Sequence, residues 1–595
     1  MTIQGAGIQY ENKLSQLRDG LAQAGFHQTV AAVVLAISTV LFLTLCLLAV
    51  RQQLSYLWPS LSVPLVVTSA QRYRRCRQSR TKASRLQRFY KRAAQRVQGH
   101  WARNGISGLE FCPADHAYAR DLDVLGEGSL FELLCTVRTA IGQRKLAEYL
   151  LITPPLEETL LRQDAIRELK GRGDLREEIA LVGKFEALQS KWEPFEEWLN
   201  SSAHSFSHLL RILAVVSSTL LAALVLIGFG TNLVPWSSLA IWIVPILALH
   251  SIIGLSLRGR VNRMLGTLYP LSGEAEVLRQ GLRILEDQRF ECGKLRDLAG
   301  KVGNSSRFIR KLELLLHALN ERSKPWFYAA SLALLFGTQL CMAIEAWRTK
   351  HGARLLGWLD AWGEFEALVA LANYAHENPE NRFPEFSGNV EFEAEDLGNP
   401  LLSNASCVRN DVRLNSASRF YVLSGSNMSG KSTLLRTVGL NAILAFAGAP
   451  VRARSLRMGR LSVWASLSVV DSLLTGKSKF LAEVDRLHKT LEAARGETSV
   501  LFLVDEILAG TNSRDRRIAT EAVVRTLLER GAIGVLSTHD IALCEMAAAE
   551  ELRGVNMHMG SRTGDNPLDF DYRLKEGVTG ETNALAIARM AGVPI

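Results

Sequence analysis

At 595 residues the chain is too long for one ordinary hydrophobic core, so several domains are expected and burial is no limitation. Sixty-nine basic against fifty-nine acidic residues leave a formal charge of +10, which suits a negatively charged partner without separating nucleic acid from an anionic membrane face. The eight cysteines are scattered, with no CxxC and no histidine at ligand spacing, which argues against a zinc site or a disulfide framework and for reduced thiols.

Charge and hydropathy are unevenly spread along the chain. No Asp or Glu occurs from Gly20 to Leu109. Residues 30–50 run 21 positions without a charge, the length a helix needs to cross about 30 Å of hydrocarbon, and predict a membrane span. The run starts too far into the chain, and exits on too basic a flank, for a secretory signal. Residues 54–70 are shorter and proline-interrupted, a weaker second span. Eleven Lys and Arg then crowd into residues 72–96, while Leu86, Phe89, Tyr90, Ala93, Ala94 and Val97 recur at helical spacing. That pattern predicts a basic juxtamembrane helix facing anionic lipid, with phosphate contacts to nucleic acid as the alternative. Residues 212–257 hold no charge between Arg211 and Arg258 and break at 228–236, which predicts a hairpin of two spans. The basic residues at these exits place both chain termini in the cytoplasm, as expected of a multi-pass membrane protein with an even number of spans. A further run, 326–344, is long enough to span but contains Gln339, leaving a buried soluble helix equally open.

The C-terminal third carries the chemistry. An apolar strand at 420–423 leads into Gly425-Ser426-Asn427-Met428-Ser429-Gly430-Lys431-Ser432-Thr433 and then a helical run. This is the strand, phosphate loop and helix order that lets backbone N–H groups of 426–432 cradle a phosphate at a helix N-terminus. Lys431 supplies positive charge to the β and γ oxygens of ATP, and the Ser432 hydroxyl suits Mg²⁺. A second apolar strand ends in Asp505-Glu506, with Asp505 expected in the Mg²⁺ shell and Glu506 placed to orient or deprotonate the attacking water. A third ends at His539, within reach of the γ-phosphate or the water. Together these residues predict ATP hydrolysis in an α/β P-loop domain.

Transporter-type ATPases of the ABC class place a Leu-Ser-Gly-Gly-Gln signature before the acidic strand, and no such segment lies between Lys431 and Asp505. Instead "GKSKFLAEVDRL" (476–487) precedes that strand and "GTNSRDRR" (510–517) follows it. This order, with the loop "GSNMSGKST", resembles the MutS family of mismatch-repair ATPases. The resemblance implies that Phe480 and Glu483 form the Q-loop-like segment together with Ser478. It also implies that Gly510, Thr511, Asn512 and Ser513 reach the partner subunit's triphosphate across a homodimer. Asn410, in "VRND", falls where the family contacts adenine, and "ARMAGVP" (588–594) resembles the closing helix. Residues 121–169 are similar to the opening of the family's helical core, with Gly142, Arg144, Leu146, Pro155 and Arg162 in familiar places.

The fold expected from the resemblance is a MutS-type P-loop domain at 395–595, with an all-α core and lever at 121–210 and 259–394. That core is interrupted by a transmembrane hairpin at 211–258 and preceded by a membrane segment at 1–71 and the basic helix at 72–120. The first 120 residues leave no room for a mismatch-reading domain, and the Phe195-Glu196-Glu197 tripeptide lies in a helical stretch that reads as structural. The resulting expectation is a membrane-anchored, dimeric ATPase that couples ATP to lever movement, with membrane lipid as a partner. DNA binding without strong mismatch preference is compatible with it. The alternatives are a membrane-tethered mismatch or damage sensor and, on the scarcity of polar groups in the spans, less readily a transporter.

Overall fold

The structure, a computed structural model, describes the chain apart from residues 1–2, 52, 56, 184–197, 201–205, 231–234, 270, 323, 427, 468–478, 509–510, 561–568 and 580–595. The tripeptide 195–197, residues 231–234 of the break at 228–236, and the closing segment 588–594 therefore lie outside the described residues. The chain forms two compact units, one made of Met1–Thr136, Leu146–Leu181 and Leu368–Ile595, the other of Val137–Lys145 and Val182–Ala367.

The first unit opens on two long helices, α1 (Ile3–Val50) and α2 (Leu57–Val97), which run antiparallel. Their register follows from the side chains that meet. Near the free ends Tyr10 and Tyr90 pack with ring centroids 5.5 Å apart, and near the connection Ser38 and Ser69 share a hydrogen bond of 2.9 Å. Leu14, Leu17, Leu86, Phe89 and Val97 close around Ala93 and Ala94, so the helical spacing of the basic segment does mark a buried stripe. The apolar half of α1 is long enough to cross a membrane. Residues 54–70 depart from expectation. From Leu57 they form the first turns of α2, which is not among the helices long and apolar enough to span; its uncharged stretch ends before Arg72, short of the about 20 residues a crossing needs.

After α2 the chain passes through α3 (Leu130–Leu134), α4 (Ala140–Leu151), α5 (Leu156–Gly171) and α6 (Gly173–Ala180). In the first unit α5 lies against the C-terminal part, where the Thr159 hydroxyl donates to Phe446 O at 3.3 Å and the Gln163 amide to Pro384 O at 3.1 Å.

The second unit is helical. It contains α7 (His208–Gly230) and α8 (Trp236–Leu268), both of spanning length and composition, then α9 (Leu271–Asp287), α10 (Gly293–Val302), α11 (Ser305–Arg322) and α12 (Pro325–Ala333). The 42-residue α13 (Phe336–Glu377) begins here. The 326–344 run is neither one straight span nor one buried helix. It breaks between α12 and α13 with a bend of 72°, and Leu335 at the break has φ +52°. The carbonyls freed by the break find side-chain donors: His250 Nδ1 meets Ala333 O at 2.7 Å, while Ser218 and Gln339 donate to Leu334 O at 2.8 and 3.0 Å. Such partners make a broken helix tolerable in apolar surroundings. Gln339, the polar residue that disturbed the sequence pattern, is thus part of the repair.

The C-terminal part of the first unit holds two sheets. The smaller has the order β1-β5-β2-β3, from β1 (Glu385–Phe386), β2 (Phe392–Leu397), β3 (Asn410–Leu414) and β5 (Ser455–Met458). The larger has the order β10-β9-β4-β8-β7-β6. Its strands are β4 (Phe420–Ser424), β6 (Ser462–Ser466), β7 (Val500–Asp505), β8 (Ile533–Thr538), β9 (Gly554–His558) and the antiparallel edge β10 (Lys575–Glu576). Strands β4, β7 and β8 are neighbours, parallel and almost wholly buried, which explains their continuous apolar sequences. Helices α14 (Lys431–Phe446), α15 (Lys479–Ala493) and α16 (Ser513–Glu529) complete this part. In an open parallel sheet the carboxyl ends of the strands form the binding edge, and here β4, β7 and β8 end at Ser424, Asp505 and Thr538.

Candidate active site

Three segments that follow these strand ends converge. After β4 the loop 425–430 wraps to the N-terminus of α14. Gly425 has φ +152° and Gly430 φ +102°, and a Cβ on Gly425 would lie 2.4 Å from Met559 O, so neither position accepts a side chain without displacement. Met428 also has positive φ and is 73% exposed, whereas the Ser429 hydroxyl is buried without a hydrogen-bond partner among the described residues. The buried Lys431 ammonium donates to Gly425 O and Ser426 O at 2.8 and 2.9 Å. Burial pushes its pKa down, while the Asp505 and Glu506 carboxylates pull it back up. Asn427 lies outside the described residues, and Thr433 continues the first turn of α14.

Asp505 is shared by two hydroxyls: Ser432 donates to Oδ2, and Ser537 at the end of β8 donates to Oδ1 at 2.5 Å. Beside it, Glu506 has φ +49°, which turns its carboxylate away from the strand to lie 3.2 Å from His539 Nδ1. Lys431, Ser432, Asp505, Glu506 and His539, read from three separate motifs, are therefore brought together. Among the described residues no cluster of three acidic, histidine or cysteine side chains could hold a metal by itself. The hydroxyl and carboxylate pair Ser432 and Asp505 is a hard-oxygen set that fits Mg²⁺ when phosphate oxygens complete the shell.

The residues assigned from the family resemblance are placed as follows. Glu483 on α15 is buried, and its Oε1 accepts from Leu508 N at 2.5 Å, two residues beyond Glu506. Phe480 lies at the start of the same helix, 40% exposed. Asn512 caps α16 by accepting from Asp515 N at 2.8 Å, with Ser513 the first helical residue. Among the described residues, Thr511, Asn512 and Ser513 make no bond to their own phosphate loop, and Gly510 and Ser478 lie outside the described residues. Asn410 is engaged on both sides of its amide, donating to Tyr572 O at 3.0 Å and accepting from Leu574 N at 2.8 Å. Tyr572 is a residue for which the sequence offered no motif. Its ring lies so near the phosphate loop that a Cβ on Gly430 would approach Tyr572 Cδ1 to 3.0 Å. Its sequence context, with Phe570 two residues before it and Leu574 two after, gives an alternating apolar pattern and no nucleotide signature.

Residues 421–595 match the family model described as MutS domain V. This segment is a MutS-type ATPase domain. A domain of this kind implies ATP hydrolysis, and the chain as a whole is distantly similar to MutS proteins. Over 548 residues, 82% of this chain and 59% of the relative, it is 26% identical to the DNA mismatch repair protein MutS of Methanosarcina barkeri. Similarity to the Myxococcus xanthus DNA mismatch repair protein MutS is 28% identity over 79% of this chain and 56% of that protein. DNA mismatch repair protein MutS 1 of Halobacterium salinarum is 32% identical over 39% of this chain and 27% of its own length. The chain thus spans little more than half of the first and second of these relatives, and less of the third. Lys431, Ser432, Asp505, Glu506 and His539 all fall inside the matched segment, whereas Asn410 precedes it.

Proposed function

We propose that the protein is a membrane-anchored MutS-like ATPase that hydrolyses ATP in a composite site between two copies and couples turnover to movement of its helical levers. The observation that carries this reading is that one chain joins a MutS-type ATPase domain to three exposed helices of membrane-spanning length and hydropathy. In water a surface of that size and apolarity would drive aggregation; in a bilayer it is solvated. The basic face of α2 then lies at the cytoplasmic membrane surface and contacts anionic lipid.

At the site, Lys431 and the loop N–H groups bind and orient the phosphates, and Ser432 and Asp505 hold Mg²⁺, which supplies charge neutralisation on the phosphate oxygens. Glu506 accepts the proton of the attacking water, and His539, 3.2 Å away, holds the carboxylate in position. The neighbouring Tyr572 and Asn410 wall the side on which the base enters. Gly510 to Ser513 serve the partner's triphosphate; among the described residues, Thr511, Asn512 and Ser513 make no bond to their own loop, which supports this role. Residues 121–210 and 259–394 act as the core and lever.

A mismatch-repair role, carried over from the relatives' names, is the second reading. That role needs a segment that reads mismatches, and basic surface alone gives salt-sensitive, sequence-indifferent duplex binding. The test is to measure ATP turnover of the full chain in vesicles with and without anionic lipid, and in detergent with matched or mismatched duplex. Stimulation by anionic vesicles is expected. Release of the full chain from native membranes by carbonate, or stimulation by mismatched duplex alone, would overturn the reading.

A further inference from the structure

The segment that follows the basic helix α2 touches the ATPase domain at one buried acid that no motif predicts. Asp121 is 1% exposed. Its Oδ1 accepts from Leu467 N, just after β6, at 3.0 Å, and its Oδ2 forms an ion pair with Arg486 on α15. Its backbone carbonyl accepts from Arg436 Nε on α14 at 3.0 Å. Next to it, Leu122 fills the space above Gly439. A Cβ there would meet Leu122 Cδ1 at 2.5 Å and Leu503 Cδ1 at 2.9 Å, so this strap is seated between the phosphate-loop helix and the Asp505 strand. Ala117 O, at the start of the strap, accepts from Ala465 N of β6 at 3.0 Å.

Arg486 and Glu483 are three residues apart on α15 and so share a face. Asp121 holds that face at Arg486; at Glu483 the helix holds the Leu508 N–H at 2.5 Å. The turn it grips is strained, with φ +49° at Glu506 and +53° at Leu508, neither a glycine, and such a turn keeps its shape only when its surroundings impose it. The chain of contacts Asp121, Arg486, α15, Glu483, Leu508 therefore ends two residues from Glu506.

We propose that Asp121 is a positioning residue for hydrolysis: it fixes α15 so that Glu483 keeps Glu506 aimed, and through it the strap beyond α2 governs turnover. This rests on the assignment of Glu506 to hydrolysis and deepens it by naming a controlling contact outside the matched domain. The strap begins about twenty residues after the end of α2, so the contact gives the basic helix a short covalent route to the catalytic turn.

The test is ATP turnover by the full-length protein in detergent, normalised to sites that bind nucleotide, for Asp121→Asn, Arg486→Gln, Glu483→Gln, the Asp121→Asn/Glu483→Gln double variant and Asp115→Asn. Asp121→Asn retains an acceptor for Leu467 N and removes the charge facing Arg486. The expected result is a fall in kcat of about tenfold for Asp121→Asn and for Arg486→Gln, with KM for ATP within about twofold, because an interaction used in the transition state is lost. The double variant should be no slower than Glu483→Gln alone, since both act through one turn. Asp115→Asn, which removes an exposed 3.3 Å pair with Lys489 on the same helix, should leave turnover unchanged. Normal kcat per binding site in both Asp121→Asn and Arg486→Gln, or effects that multiply in the double variant, would overturn the proposal. If the substitutions lower the folded fraction, counting nucleotide-binding sites keeps the comparison valid, and Arg486→Lys provides a milder variant for which an intermediate kcat is expected. A Glu506→Gln control separates the two readings: normal turnover in that control would remove the catalytic assignment itself, whereas its loss alongside normal Asp121→Asn turnover would remove only the positioning role.

Discussion

Glu506 is held in the left-handed backbone region, at a cost of about 1 kcal/mol for a residue with a Cβ, and that conformation delivers its carboxylate to His539 rather than along the strand. The adjacent Asp505 stays in line with β7 and is used up by the Ser432 and Ser537 hydroxyls. Two neighbouring carboxylates thus have separate partners because one follows the strand and the other leaves it. Glu506→Gln keeps the shape and removes the proposed base. It should lower hydrolysis by about 10²-fold or more while ATP binding persists, checked by single-turnover phosphate release beside equilibrium nucleotide binding. Unchanged release would show that the carboxylate is not the base.

At the scale of elements, two buried carboxylates secure helix ends. Glu366 accepts from Arg138 N at 3.0 Å and from the Thr139 hydroxyl, at the start of α4. Burial pushes its pKa from 4.5 up to about 8. The folded state therefore holds a proton that the unfolded chain releases between those values. The corresponding stability is complete below pH 4.5 and declines as pH rises through about 8. Glu366→Gln, which cannot ionise, should show a flatter dependence of Tm on pH across that window; an unchanged slope would exclude Glu366 as its source. Glu377, at the end of α13, receives Arg96 Nε at 2.8 Å and Nη2 at 2.5 Å from the last turn of α2. Both side chains are nearly enclosed, so removing one strands the other. Glu377→Gln should cost about 3–5 kcal/mol in denaturant unfolding, and Arg96→Met with Glu377→Leu should recover much of that loss.

For the whole molecule, what surrounds the ATPase domain decides what turnover does. Reading a mismatch needs an apolar wedge and a bent duplex, each worth a few kcal/mol. What this chain offers DNA is basic surface, above all the eleven Lys and Arg of residues 72–96. Affinity for matched and G·T-containing duplexes should agree within about threefold, roughly 0.7 kcal/mol, and fall steeply with salt. Titration of the detergent-solubilised protein at two salt concentrations checks this. A tenfold, salt-resistant preference for the mismatch would show that the protein reads mismatches.

Lys431, Ser432, Asp505 and Glu506 were legible in the sequence because a phosphate loop and an acidic strand end need contiguous backbone, and their residue order is their geometry. The apolar runs of α1, α7 and α8 were legible for a similar reason, since bilayer thickness translates directly into uncharged length. The stripe Leu86, Phe89, Tyr90, Ala93 was readable as a buried face, although not that Tyr10 would cover it. Tertiary structure alone decided the rest. The Asp121–Arg486 pair joins positions 365 residues apart, and no periodicity records such a meeting. The break at Leu335 depends on donors from Ser218 and His250, which lie on two other helices. Tyr572 reaches the phosphate loop only because the chain returns past Asn410. Local chemistry is written in neighbouring residues, whereas partners brought together by folding are specified only by the packing that places them.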